Sequence, residues 1–174
     1  KTPLTLEELS FLLWATQGIR EQSGRGHALR TVPSAGARHA LETYLCILGV
    51  EGLARGFYRY LPLEQQLVVE YRDENVAGKI ASAAFEQNWM SSAAVVFVWS
   101  TIPYRMEWRY GLAAHKVILL DAGHVCQNLY LACEAIGAGT CAVAAYDQEL
   151  MDQLLRIDGK DECVIYLAAA GKVS

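Results

Sequence analysis

The chain has 174 residues, of which 53% are hydrophobic and 20% charged, and a net charge of −4. That length suits one domain, and the apolar surplus points to an obligate oligomer, most simply a two-fold dimer, with a well-packed monomer as the alternative. With no basic patch, no apolar stretch of roughly 18 residues and no signal-peptide pattern, the sequence argues against nucleic-acid binding, membrane insertion and export, and for a cytoplasmic protein.

The five cysteines, Cys46, Cys126, Cys133, Cys141 and Cys163, are odd in number and form no C-x-x-C pair. Set mostly in apolar runs, they read as reduced, buried thiols, and nothing beside them completes a metal site. The chain begins at Lys1, so a further segment is expected upstream.

In chain order, Thr5 and Glu8 form a capping box ahead of Leu6, Leu9, Leu12 and Leu13, which predicts a helix over 6–17 stopped by Gly18. Residues 21–29, "EQSGRGHAL", read as a polar loop. "RTVPSAGARHALETY" (30–44) follows, with a short helical turn expected over 38–41 and a strand buried on both faces over 43–50. Residues 56–71 read as two strands turning near Pro62, 76–89 as a helix, and 93–100 as a buried strand. A helix over 103–111 ends at Gly111, and the longest helix, 116–136, is apolar nearly all round, as befits a core or an interface. A short strand lies within 137–147, Asp147 caps a helix to Leu155, and 163–171 is a final central strand. Helices and strands mix without strict βαβ alternation, which makes the fold α+β.

Three stretches invite a chemical reading. In the first, Pro33 fixes φ, Gly36 permits a positive φ and Ser34 can hydrogen-bond. Successive N–H groups there can gather an anion, with Arg30 adding charge, although an ordinary loop entering a strand has the same residue types. In the second, "AVAAY" (142–146) keeps side chains small where a strand ends, so that a flat ring could lie on the backbone; close packing against the long helix requires the same. The third is Arg109–Tyr110, which could supply a charge clamp and a proton donor, or merely end a helix.

The remaining candidates are blander. "AIGAGTC" (135–141) has a lone G-x-G after a helix, a weak dinucleotide signal. None of His27, His39, His115 and His124 has metal-ligand spacing, and His124 with Cys126 makes a poor hydrolase pair. His124 reads as an interior histidine, and Gln127 with Asn128 as a buried polar pair.

Taken in order, "LTLEELSFLLWATQGI" (4–19), "RTVPSAGARHALETY", "YRY" (58–60), "RYG" (109–111), "LLDAGHVCQNLYLACEAIGAG" (119–139), "VAAYD" (143–147) and "IYLAAAG" (165–171) resemble the nitroreductase superfamily, and within it the SagB-type dehydrogenase branch. The resemblance implies an FMN-binding α+β homodimer, with a mostly antiparallel central sheet and two flavin sites at the subunit interface. It places Pro33, Ser34, Ala35 and Gly36 against the partner's flavin, with Arg30 near its ribityl or phosphate part. Ala144 and Ala145 would offer N–H groups near the redox-active N5, Gly139 would shape the approach, Gln87 would read the pyrimidine edge, and Lys172 would bind the phosphate. The implied activity is hydride transfer from a reduced nicotinamide, NAD(P)H, or an organic donor to a small-molecule acceptor. Peptide azoline-to-azole dehydrogenation and a non-catalytic scaffold are the alternatives.

The sequence departs from the family in three places. The family's arginine-rich, phosphate-binding segment would lie before Lys1; Ala37 stands where nitroreductases often have asparagine; and Arg109–Tyr110 replaces the Lys-Tyr pair of peptide-azoline oxidases. An arginine cannot serve as a base, which leaves Tyr110 as the proton-handling candidate.

Overall fold

The computed structural model describes residues 2–23 and 27–173. Helix α1 spans Leu6–Gln17 and opens on the expected capping box: Thr5 Oγ1 accepts from the Glu8 N–H at 3.1 Å, and the Glu8 carboxylate accepts from the Thr5 N–H at 3.0 Å. Strands β1 (Ile19–Ser23) and β2 (His27–Arg30) then pair as an antiparallel hairpin. This corrects the polar loop expected over 21–29, whose residues 24–26 lie outside the described residues. The segment is too polar to show an apolar alternation, so pairing was hidden from periodicity.

The main sheet contains β3 (Leu41–Ile47), β4 (Gly56–Leu61), β5 (Gln66–Arg72), β6 (Val95–Thr101), β7 (Ala138–Val143) and β8 (Cys163–Lys172). Its order is β5-β4-β3-β6-β8-β7, with every neighbouring pair antiparallel. Strand β8 therefore lies one place in from the edge rather than at the centre.

Helix α4 (Ala114–Ala135) packs with α1 on one face of the sheet, where Leu9, Leu12 and Leu129 meet Leu45, Phe97 and Trp99. Helices α2 (Val76–Ala83) and α5 (Gln148–Leu155) cover the other, where Ile80 and Met151 meet Val96, Val98 and Leu167. The two middle strands, covered on both faces, read as continuous apolar runs for that reason. Fully burying a side chain such as Phe97 or Leu45 contributes about 2–3 kcal/mol, which makes this three-layer packing the main source of stability.

Other expectations shift in detail. The helix over 76–89 ends at Ala83, because Phe85 and Glu86 take left-handed φ values of 53° and 59°; a 3-10 turn over Asn88–Ser92 follows. The turn expected over 38–41 is a 3-10 turn at Ala35–Ala37. Helix α3 spans Tyr104–Tyr110, and α5 is capped as read, with Asp147 accepting from the Leu150 N–H at 2.9 Å. Helix α4 buries only one stripe, Ile118, Ala122, Val125, Leu129 and Ala132 among them, while Leu119, Leu120 and Leu131 stand exposed. His124 and Gln127 are exposed, and half-buried Asn128 donates to the Ala15 carbonyl at 2.9 Å, so neither the interior histidine nor the buried pair holds. Of the thiols, Cys46, Cys126 and Cys133 are buried, Cys163 is partly covered and Cys141 is exposed. Among the described residues, no helix is long and apolar enough to cross a membrane.

Candidate functional site

The proline–serine turn is held in place by its own backbone and by α4. The Ser34 hydroxyl accepts from the His39 N–H at 2.9 Å, and the Ser34 carbonyl from the Ala37 N–H at 2.9 Å. The Ala35 N–H donates to both carboxylate oxygens of Asp121, at 3.1 and 3.2 Å. Asp121 is 6% exposed on α4 and was not among the residues singled out by sequence; a carboxylate set between Leu120 and Ala122 in an apolar stretch of the helix was the available signal. With these N–H groups engaged, the turn is a rigid ledge and not an open anion nest.

Three of its residues have left-handed backbones: Gly36 at φ 57°, Ala37 at 52° and His39 at 49°. Such values cost a side-chain-bearing residue about 1–2 kcal/mol and persist only where surrounding contacts hold them. Here the Asp121 and Ser34 hydrogen bonds supply that hold, on a ledge whose Pro33 and Gly36 are exposed.

Helix α3 brings Arg109 and Tyr110 onto this ledge. A β-carbon placed at Gly36 would lie 2.6 Å from Tyr110 Oη and 3.1 Å from Arg109 Nε, so only glycine allows the approach. The Arg109 guanidinium lies 5.8 Å from the centre of the Tyr110 ring. Two sequence candidates 73 positions apart thus become neighbours.

Around them lie more basic groups. Arg105 pairs with Glu42 at 2.7 Å and donates to the His39 carbonyl at 3.2 Å, and Arg38 stacks on the Trp108 ring 4.6 Å from its centre. Arg30 donates to Gln17 Oε1 at 2.6 Å. Burial first, and the Arg30 charge second, push the His39 imidazole down to about 4, so it is neutral at physiological pH.

A second cluster forms at the end of β7. The Gln87 amide donates to the Ala145 carbonyl at 2.9 Å, and the Asp147 N–H to the Ala83 carbonyl at 2.8 Å, which fixes residues 144–147 against the end of α2. The Ala142 N–H donates to Tyr130 Oη of α4 at 3.0 Å. Ala144 and Ala145 are exposed, and neither N–H has a protein partner among the described residues. Donors left free on residues with methyl side chains suit a flat, heteroatom-bearing ring.

Two candidates sit apart from these clusters. Gly139 pairs with Gly171 near the opposite end of β7, and a β-carbon there would meet Val173 Cγ1 at 2.8 Å. Lys172 bonds to Glu8 and to the Ile136 carbonyl, tying β8 to the start of α1 and the end of α4. That ion pair, with the Thr5 N–H, holds the Glu8 carboxyl below its ordinary range; a phosphate at Lys172 would have to share or displace these partners.

No described hydrogen bond joins the ledge to the β7 cluster. The register nevertheless opens both at one end of the sheet, since Leu41 pairs with Thr101, Thr101 with Cys163, and β7 runs past Leu167 towards that end.

The Nitroreductase family model matches residues 1–172. The chain belongs to the nitroreductase family. This nitroreductase-family chain is 37% identical over 154 residues to MJ1384 of Methanocaldococcus jannaschii, which carries a nitroreductase name, covering 88% of this chain and 75% of that one. It is 23% identical over 155 residues to McbC, the microcin B17-processing protein of Escherichia coli, covering 86% of this chain and 56% of McbC. Among solved structures, a nitroreductase-named chain from Anabaena variabilis superposes with a TM-score of 0.87 at 26% identity, over 94% of this chain and 34% of that chain. The E. coli microcin synthetase McbBCD complex, bound to truncated pro-MccB17, contributes a chain with a TM-score of 0.86 at 21% identity, over 100% of this chain and 66% of that chain. At that identity the likeness is one of fold.

Proposed function

We propose that this nitroreductase-family chain is one subunit of an FMN-dependent oxidoreductase homodimer. The observation that carries the reading is that exposed Ala144 and Ala145 have N–H groups with no partner among the described residues, on a segment held in place by Gln87. In this reading Ala144 and Ala145 hold the flavin's N5 edge, and Gln87 holds or orients its pyrimidine edge. The ledge of Pro33, Ser34, Ala35 and Gly36 covers the flavin of the partner subunit. The separation of ledge and β7 cluster within one chain supports a site completed by two subunits, as do the exposed Leu119, Leu120 and Leu131 on α4.

Bound FMN supplies hydride transfer through N5 between a reduced nicotinamide and an organic acceptor. The chain's own residues orient and shield that exchange. The ledge excludes water from one side, and Asp121 keeps it from yielding when a ligand presses on it. Tyr110 Oη, packed on Gly36, donates a proton to the acceptor, and Arg109 beside it keeps negative charge close by. Arg30 and Lys172 remain the candidates for the ribityl-phosphate end, each through an exchange of its present partner.

The test is anaerobic mixing of the purified protein with NADH or NADPH, followed by a nitroaromatic or a quinone. Bleaching of the flavin by the nicotinamide and its recovery on adding the acceptor support the reading, and a flavin inert to both rules it out.

A second reading rests on the likeness to McbC: the same site, run in the oxidising direction, would dehydrogenate a peptide azoline to an azole. Turnover of an azoline peptide in preference to nitroaromatics and quinones would select it.

A further inference from the structure

Beside the ledge lies a second built surface, whose Arg38 and Trp108 have no role in the flavin reading. Arg38 follows Gly36 by two residues and lays its guanidinium on the Trp108 ring, 4.6 Å from its centre. Trp108 is 56% exposed and Tyr104, one turn earlier on α3, is 73% exposed. The Nε of Arg38 is buried and has no hydrogen-bond partner among the described residues. Arg105 and Arg109 flank the pair on the same short helix.

Charge complementarity decides what this surface fits. Four guanidiniums, of Arg30, Arg38, Arg105 and Arg109, gather in a chain whose net charge is −4. The acids among them are Glu42, committed to Arg105, and exposed Glu107 on α3, with Asp121 engaged by the ledge. A guanidinium stacked on an indole keeps its in-plane N–H groups free for an oxyanion, and its outer face can receive another flat ring.

We propose that Arg38 and Trp108, flanked by Arg105 and Arg109, form a specificity site for a planar aromatic anion. A carboxylate, sulfonate or phosphate on the ring meets Arg38, and the ring lies against the guanidinium and the α3 aromatics. This rests on the flavin reading only for its meaning, because Gly36, Arg109 and Tyr110 place it at the mouth of the proposed site. The electron acceptor is then an acidic aromatic compound and not a neutral one.

Calorimetric titration with 2-naphthalenesulfonate and uncharged 2-naphthalenemethanol tests this, with flavin content read by absorbance in the same samples. The wild type should bind the sulfonate about tenfold more tightly, the scale of one charge-assisted hydrogen bond, and the preference should shrink as salt screens the charges. Arg38→Gln should reduce the preference to about twofold at unchanged flavin content, and Trp108→Leu should weaken both probes. Equal binding of the two probes by the wild type, or a preference that survives Arg38→Gln, overturns the assignment. A flavin-free protein that keeps the preference contradicts the proposed function and upholds this site; a flavin-bound protein without it contradicts this site alone.

Discussion

The Oη of Tyr110 occupies the space that a side chain on residue 36 would need: a β-carbon there would lie 2.6 Å away. Contact and backbone angle together, φ being 57°, make glycine the residue that lets α3 close onto the ledge. Gly36→Val would push Tyr110 aside and add about 1–2 kcal/mol of backbone strain. The ledge lies outside the sheet core, so the circular dichroism spectrum should be retained while flavin content falls severalfold. Full flavin occupancy in this variant would mean that the ledge does not touch the cofactor.

Tyr110→Phe removes the hydroxyl and keeps the ring beneath Arg109. If Tyr110 donates a proton, turnover should drop about a hundredfold, near the lower end for general acid catalysis, at unchanged flavin content. Wild-type turnover would leave Tyr110 as a packing residue.

Asp121 is the ledge's anchor, accepting from the Ala35 N–H with both oxygens. Asp121→Ala leaves a part-buried donor unpaired, at up to about 1–3 kcal/mol, and should weaken flavin binding roughly tenfold or more. Asp121→Asn keeps an acceptor and should restore most of that loss. Equal damage from both variants would mean that the negative charge, and not the hydrogen bond, is what the site requires.

His39 gives the ledge a pH dependence with a definite sign. Its imidazole is held down to about 4 when folded, by burial and then by Arg30, whereas an unfolded histidine titrates near 6.5. Between those values the unfolded chain binds a proton that the folded chain does not. Stability from the neutral form is therefore complete above about 6.5 and lost as the pH falls through 4. Melting temperatures measured from neutral pH to about 4 should fall more steeply for the wild type than for His39→Asn, which tolerates the positive φ. Parallel curves would remove His39 as the cause.

The fold was legible wherever one residue type has one local job. The Thr5–Glu8 box, the Asp147 cap and the apolar runs of β3, β6 and β8 each map onto the element they predict. Illegible features depended on partners distant in sequence. Nothing around Phe85 or Glu86 signals a left-handed backbone, so α2 read six residues too long. The β1–β2 hairpin is too polar for its alternation to show, and the exposed face of α4 looks like core until the chain is folded.

The site was half legible in the same sense. Its residue types marked Gly36, Tyr110 and Ala144–Ala145, but only the fold reveals that Tyr110 rests on Gly36 and that Asp121 holds the ledge. Nor could the sequence show that Val173 lies against Gly139 and that Lys172 is paired with Glu8.

The most direct test of the account is the visible spectrum of the purified protein, with the cofactor identified after denaturation. The account predicts bands near ~370 and ~450 nm and about one FMN per chain, or two per dimer. A colourless protein that added FMN cannot reconstitute, with the sheet folded, would contradict it and leave the chain as a scaffold with the family's fold.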